Sequence, residues 1–193
     1  MQLRVNPTVF SEPERTRAGC RATRSVASVS SVSTERTRTY TWEDPLALHG
    51  KMAGRPGLEV MQMMVSGELP PPPIAETLGF HLVEVAPGRA VFDCEPAEFH
   101  YNPIGIVHAG LAMTLMDSAM GLAFVTTIEA GVGWTTLELK ANFTRALTVA
   151  TGVVRCVGTV VHPGRKAATT EARIEDAEGR LYAHGTSTIL VLS

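Results

Sequence analysis

The spacing of apolar positions changes along this chain, and the change separates a helical part from a stranded part. From Val107 to about Ile128 almost every residue is apolar or small, which predicts a helix buried on most of its surface. Upstream, LEVMQMMV (58–65) predicts a short amphipathic helix, ended by Gly67 and the run Pro70–Pro73. The segments 79–86 and 88–96, meeting at Pro87-Gly88, predict a hairpin. Beyond Gly131 and Gly133 the period becomes two. Leu137, Leu139, Ala141 and Phe143 share one face, and Glu138, Lys140, Asn142 and Thr144 share the other. Three further strands follow at 151–161, 166–176 and 180–192, divided by His162-Pro163-Gly164 and by the turn 176–179. A single antiparallel sheet of five or six strands must bury its apolar face, and the central helix is the apolar partner the sequence offers. The expected class is α+β, with the sheet wrapped around one long helix.

Composition adds a boundary. Residues 1–40 hold seven Arg against three Glu in a background of Ser and Thr, without apolar periodicity. Such a segment cannot offset its ordering entropy and is expected to be a disordered tail, although organelle transit peptides share this composition. Residues 41–75 are expected to form an N-terminal helical segment and proline-rich linker, and 76–193 one folded domain. A net charge of −2 and an aromatic content of 6% exclude a nucleic-acid surface. The apolar run around 104–128 is long enough to span a bilayer, but Asp117 stands inside it and no Lys or Arg flanks it. A helix inside protein is therefore expected. Three widely spaced cysteines, Cys20, Cys94 and Cys156, suggest a reducing, cytoplasmic compartment and offer no metal set.

Candidate chemistry concentrates in HYNPIGIVHAGLAMTLMDSAMG (100–121). Asp117 is the one ionisable group inside the apolar helix, and burying a carboxylate costs several kcal/mol unless it is paired, so a functional role is expected. Asn102, Pro103 and Gly105 form a turn before the helix. The first N–H groups of the helix lack intrahelical partners and can polarise a carbonyl. Ala109 and Gly110 leave that end uncrowded. His108 lies nine residues before Asp117, half a turn out of phase at 100° per residue, so the two should leave opposite sides of the helix. A shared site then requires residues from two subunits. Taken singly, each has a plainer reading: His108 as a cap, Asn102 as a turn, Asp117 as an interface hydrogen bond, Arg165 and Lys166 as loop charges.

Together, Asn102-Pro-x-Gly-x-Val-His108-Ala-Gly110 and Leu115-x-Asp117-x-Ala119-x-Gly121 resemble the hotdog-fold acyl-CoA thioesterases of the PaaI type. Segments 135–147 and 162–174 extend the resemblance, which covers about residues 70–192. It implies a homodimer as the smallest active unit, often paired into a homotetramer, with sites between subunits and an acyl-CoA substrate. Asp117 would activate water or attack the thioester itself, and the Ala109 N–H with Asn102 would polarise the thioester. Thr136 would supply an assisting hydroxyl. Two departures stand out: Ala109 where the family usually has Gly, and Arg145-Ala146 where it has Arg-Pro. The expected reaction is hydrolysis of an acyl-CoA, aromatic or medium-chain, to free acid and CoA, without metal or redox cofactor. Arg145, Arg165 and Lys166 are the candidates for binding CoA phosphates. Alternatives are a hotdog hydratase or dehydratase, and a non-catalytic acyl-CoA-binding protein.

Overall fold

The computed structural model describes residues 35–192, so the greater part of the Arg- and Ser-rich tail expected at 1–40 lies outside the described residues. From Arg38 onward the chain is one compact unit. Three short helices come first: α1 (Pro45–Met52), α2 (Gly57–Ser66) and α3 (Pro73–Leu78). The hairpin β1 (Phe80–Ala86) and β2 (Arg89–Cys94) leads to the central helix α4 (Ala109–Val125). Strands β3 (Gly133–Phe143), β4 (Val154–His162), β5 (Ala167–Asp176) and β6 (Leu181–Leu192) complete the chain.

The helix at 58–65 is α2 and lies where the apolar spacing puts it. Helices α1 and α3 are additional, and both begin at proline. Pro45 and Pro73 stand in the first turn, where a missing N–H costs no bond and the fixed φ suits a helix. Arg38 donates to the Glu76 and Thr77 carbonyls at the end of α3, a favourable place for a cation, and stacks on Tyr40 and Phe99.

All six strands form one antiparallel sheet in the order β1-β2-β4-β5-β6-β3, as expected for strands without crossover helices. Helix α4 packs across one face of this sheet. Leu111, Leu115, Met116, Ala119 and Met120 meet Phe92, Val154, Cys156, Ile174 and Ala183 in the main core. The helix crosses β4 so closely that a Cβ on Gly158 would lie 2.2 Å from the Ala119 carbonyl oxygen. Among the described residues, no helix is long and apolar enough to cross a membrane.

Strand β3 departs from the simple alternation. Leu137 has no partner across the ladder, and the register shifts between Thr136 and Glu138. The bulge resets the phase of the strand. Trp134 and Thr136 pair with Val191 and Ile189, while Leu139 and Ala141 pair with Ser187 and Gly185. All four therefore face α4, although their numbers differ in parity. Leu137, expected on the core face, is instead 57% exposed, and Phe143 at the far end is 49% exposed.

Candidate functional site

Helix α4 buries most of its circumference and leaves one stripe uncovered by its own sheet. Gly110, Met113, Thr114, Asp117 and Ser118 lie on that stripe at three- and four-residue spacing. Asp117 is thus exposed within the protomer, which corrects the expectation of a buried carboxylate. In a helix so rich in Ala, Gly and Met, hydropathy does not reveal which side the sheet leaves open. The Thr136 hydroxyl donates to Asp117 Oδ1 at 2.9 Å. This contact unites two of the sequence candidates, and it depends on the bulge at Leu137.

The start of the helix is built by the turn before it. Asn102 Oδ1 accepts from the N–H groups of Ile104 (3.1 Å) and Ile106 (3.4 Å), and the Asn102 N–H donates to the Ile106 carbonyl at 2.8 Å. With its oxygen engaged, the side chain keeps its NH2 for other partners. The His108 N–H donates to the His100 carbonyl, which ties the helix entrance to the preceding loop. His100 itself is buried. Its Nδ1 accepts from the Ala97 N–H at 2.9 Å, and Nε2 lies 2.7 Å from the Leu78 carbonyl. Burial, reinforced by the Arg38 charge, holds His100 below the ordinary histidine pKa. Sequence reasoning missed His100; its position two residues before Asn102 was the available signal.

His108 is the N-cap residue of α4, with extended backbone (φ −62°, ψ 133°), and its Nδ1 accepts the Gly110 N–H at 2.9 Å. The opposite-face argument is therefore corrected: a rotation of 100° per residue applies only inside the helix, and His108 lies outside it. Gly110 and Asp117 share a face. The Gly110 N–H is committed to His108, whereas the Ala109 N–H finds no acceptor among the described residues. Ala109, His108, Asn102 and Arg145 line a cavity of about 370 Å³ at this end of the helix.

Distance still separates the two halves. Ala109 and Asp117 are eight residues apart, about 12 Å along the axis. The basic candidates divide the same way. Arg145 lies next to Tyr182, whereas the Lys166 carbonyl accepts from Val191, about 30 Å further along β6. Arg165 and Lys166 occupy the β4–β5 turn at the Thr136 end of the sheet, and Arg145 lies at the Ala109 end. Among the described residues, no cluster of three or more His, Cys, Asp or Glu side chains is placed to hold a metal ion.

Known proteins give this arrangement a context. The model of the family described as "Thioesterase superfamily" matches residues 104–183, from the turn through the start of β6. The chain is 28% identical over 118 residues to a 1,4-dihydroxy-2-naphthoyl-CoA hydrolase of Listeria monocytogenes, covering 61% of this chain and 94% of that protein. It is 29% identical over 108 residues to human acyl-coenzyme A thioesterase 13, covering 55% and 76%. The structure of a mutant phenylacetic acid degradation protein PaaI from Thermus thermophilus superposes with a TM-score of 0.58 at 31% identity, covering 64% of this chain and all of that one.

Proposed function

The chain belongs to the thioesterase superfamily, in its PaaI-type group, and on that premise we propose how its residues hydrolyse the thioester of an acyl-CoA. It is a thioester hydrolase with the hotdog fold. The Asp117 carboxylate takes a proton from water as the water oxygen attacks the thioester carbon. The Ala109 N–H and the Asn102 amide stabilise the oxyanion. The C–S bond then breaks, and the CoA thiolate takes up the proton as the acid leaves. General-base assistance of this kind is worth about 10²–10⁴ in rate, and one oxyanion donor about 10²–10³. In this reading His108 is a positioning residue that fixes the first turn.

The observation that carries the reading is the pair of half-sites: a carboxylate held by Thr136 on an open helix stripe, and an unengaged N–H about 12 Å away. Among the described residues, the outer edge of β3 is unpaired. Two copies paired antiparallel along β3, with the two-fold axis near Leu139–Lys140, place Thr136 of one opposite Phe143 of the other. Phe143 lines the cavity beside Ala109. Each Asp117 then meets the helix start of the partner, and the same operation gathers Arg145 of one copy with Arg165 and Lys166 of the other for the CoA phosphates. The homodimer is the smallest active unit in this reading, and it can pair further into a tetramer. Cys94 and Cys156, both free and buried, fit a cytoplasmic protein.

The test is thiol release from a panel of acyl-CoA thioesters by the full chain and by Asp117→Asn. A loss of about 10²–10⁴ in kcat with unchanged folding is expected. Wild-type turnover in the variant would remove Asp117 from the mechanism.

A further inference from the structure

A second cavity, about 760 Å³, lies between α1, α2, the C-terminal half of α4 and the start of β3. It is twice the volume of the one at the helix start, about 370 Å³. Its walls are Met52, Met61, Met64, Leu122, Val125 and Trp134. The polar side chains it includes are His49 and Arg55, and Arg55 is paired with Glu59.

The cavity lies beyond Asp117 toward the C-terminus of α4. Gly121 and Val125 follow Asp117 at four-residue steps, and Leu122 and Val125 follow Ser118 by four and seven. Leu122 begins about 7 Å beyond the carboxylate along the helix, and Val125 lies about 12 Å beyond it. Just before Leu122 the Trp134 ring lies against Gly121, so close that a Cβ there would be 2.8 Å from the ring. The missing side chain lets the indole lie along the helix as a wall of the cavity. At the far end the Gly57 N–H donates to the Ile128 carbonyl at 3.0 Å, which fixes the start of α2 against the exit of α4. The floor is contributed by α1 and α2, which lie outside the family-matched residues 104–183.

We propose that this cavity is the acyl compartment and that its occupant is a flexible, unbranched aliphatic chain. The inference rests on the thioesterase reading above, which supplies the carboxylate one to two helical turns before Leu122 and Val125. Unbranched thioethers adapt to a chain of variable shape, and the lining has few fixed donors or acceptors of the kind that would orient a substituted ring. Placed with its carbonyl at Asp117, the acyl group runs toward the C-terminus of α4, past Trp134 and between the methionines of α1 and α2. Specificity for chain length is therefore written in the N-terminal helices.

The experiment measures kcat/KM for saturated acyl-CoAs from two to twelve carbons, with benzoyl-CoA and phenylacetyl-CoA beside them. The Kd of butyryl-CoA and decanoyl-CoA for the Asp117→Asn protein is measured in parallel. Burial of each methylene is worth about 0.8 kcal/mol, so kcat/KM should rise about fourfold per added carbon until the cavity is full. Decanoyl-CoA should bind the Asp117→Asn protein well over tenfold tighter than butyryl-CoA. In Met64→Trp, and in the rim variant Val132→Trp should the first not fold, the decanoyl-to-butyryl ratio should fall at least tenfold. A flat profile, or a preference for the aromatic thioesters that neither variant alters, would overturn the compartment and leave thioester hydrolysis standing. Steep chain-length dependence of binding with no thiol release from any substrate would uphold the compartment and overturn the catalytic reading.

Discussion

The Thr136 hydroxyl donates to the Asp117 carboxylate across the interface between β3 and α4. A hydrogen bond to a charged group contributes about 1.5–3 kcal/mol. Replacing Thr136 with the isosteric Val should lower kcat between about tenfold and a hundredfold, because the carboxylate loses the group that orients it. Steady-state kinetics of the variant check this, with KM as the control for an effect on binding.

Deleting Leu137 tests the bulge itself. Without the extra residue, Thr136 adjoins Glu138, and Trp134, Thr136, Leu139 and Ala141 keep the face toward the helix by simple alternation. Turnover should stay within about tenfold of wild type, because Thr136 still faces Asp117, while far-UV circular dichroism still reports the sheet. A deletion that abolished turnover would show that the bulge shapes the site beyond setting the face of Thr136.

Mixing two inactive proteins tests the shared site. Asp117→Asn and Asn102→Ala, refolded together, form hybrid dimers that each contain one intact site and one doubly damaged site. Statistical pairing of two-fold partners should restore about a quarter of the wild-type rate. No recovery would mean that the carboxylate and the turn act within one chain.

Gly158→Ala places a methyl group against the Ala119 carbonyl, where backbone lies on both sides. A destabilisation of about 1–3 kcal/mol is expected, read from chemical denaturation with an unchanged m-value.

His100 makes stability depend on pH. Its native pKa lies below the ordinary value of 6.5, so between the two the unfolded chain binds more protons. Its contribution is complete above about pH 6.5 and is lost as pH falls toward the lowered native value. Below that value both states are protonated and the loss is constant. Thermal melts from about pH 4.5 to 8 should show this slope, reduced in His100→Gln.

Much of the molecule is legible in its residues. The apolar run of α4, the hairpin at Pro87-Gly88 and the strands after Gly133 follow from period and turn chemistry. Asp117 announces itself as the lone charge in that run. The bulge is hidden because Leu137, Leu139, Ala141 and Phe143 alternate without a visible break, so the shift can be seen only against Ile189 and Ser187 of β6. Helices α1 and α3 are masked by their prolines, which end one helix and begin another with equal ease. The role of His108 is obscured because a helical wheel extended one residue too far assigns a direction to a side chain outside the helix.

Among the described residues, strand β3 leaves one whole side of its backbone unpaired, with Leu137 and Phe143 exposed beside it. Such an edge accepts any strand that arrives, native or not, and is a nucleus for aggregation when its proper neighbour is missing. Substitutions that weaken pairing along β3 should therefore be lost first as insoluble protein during expression, before their turnover can be measured.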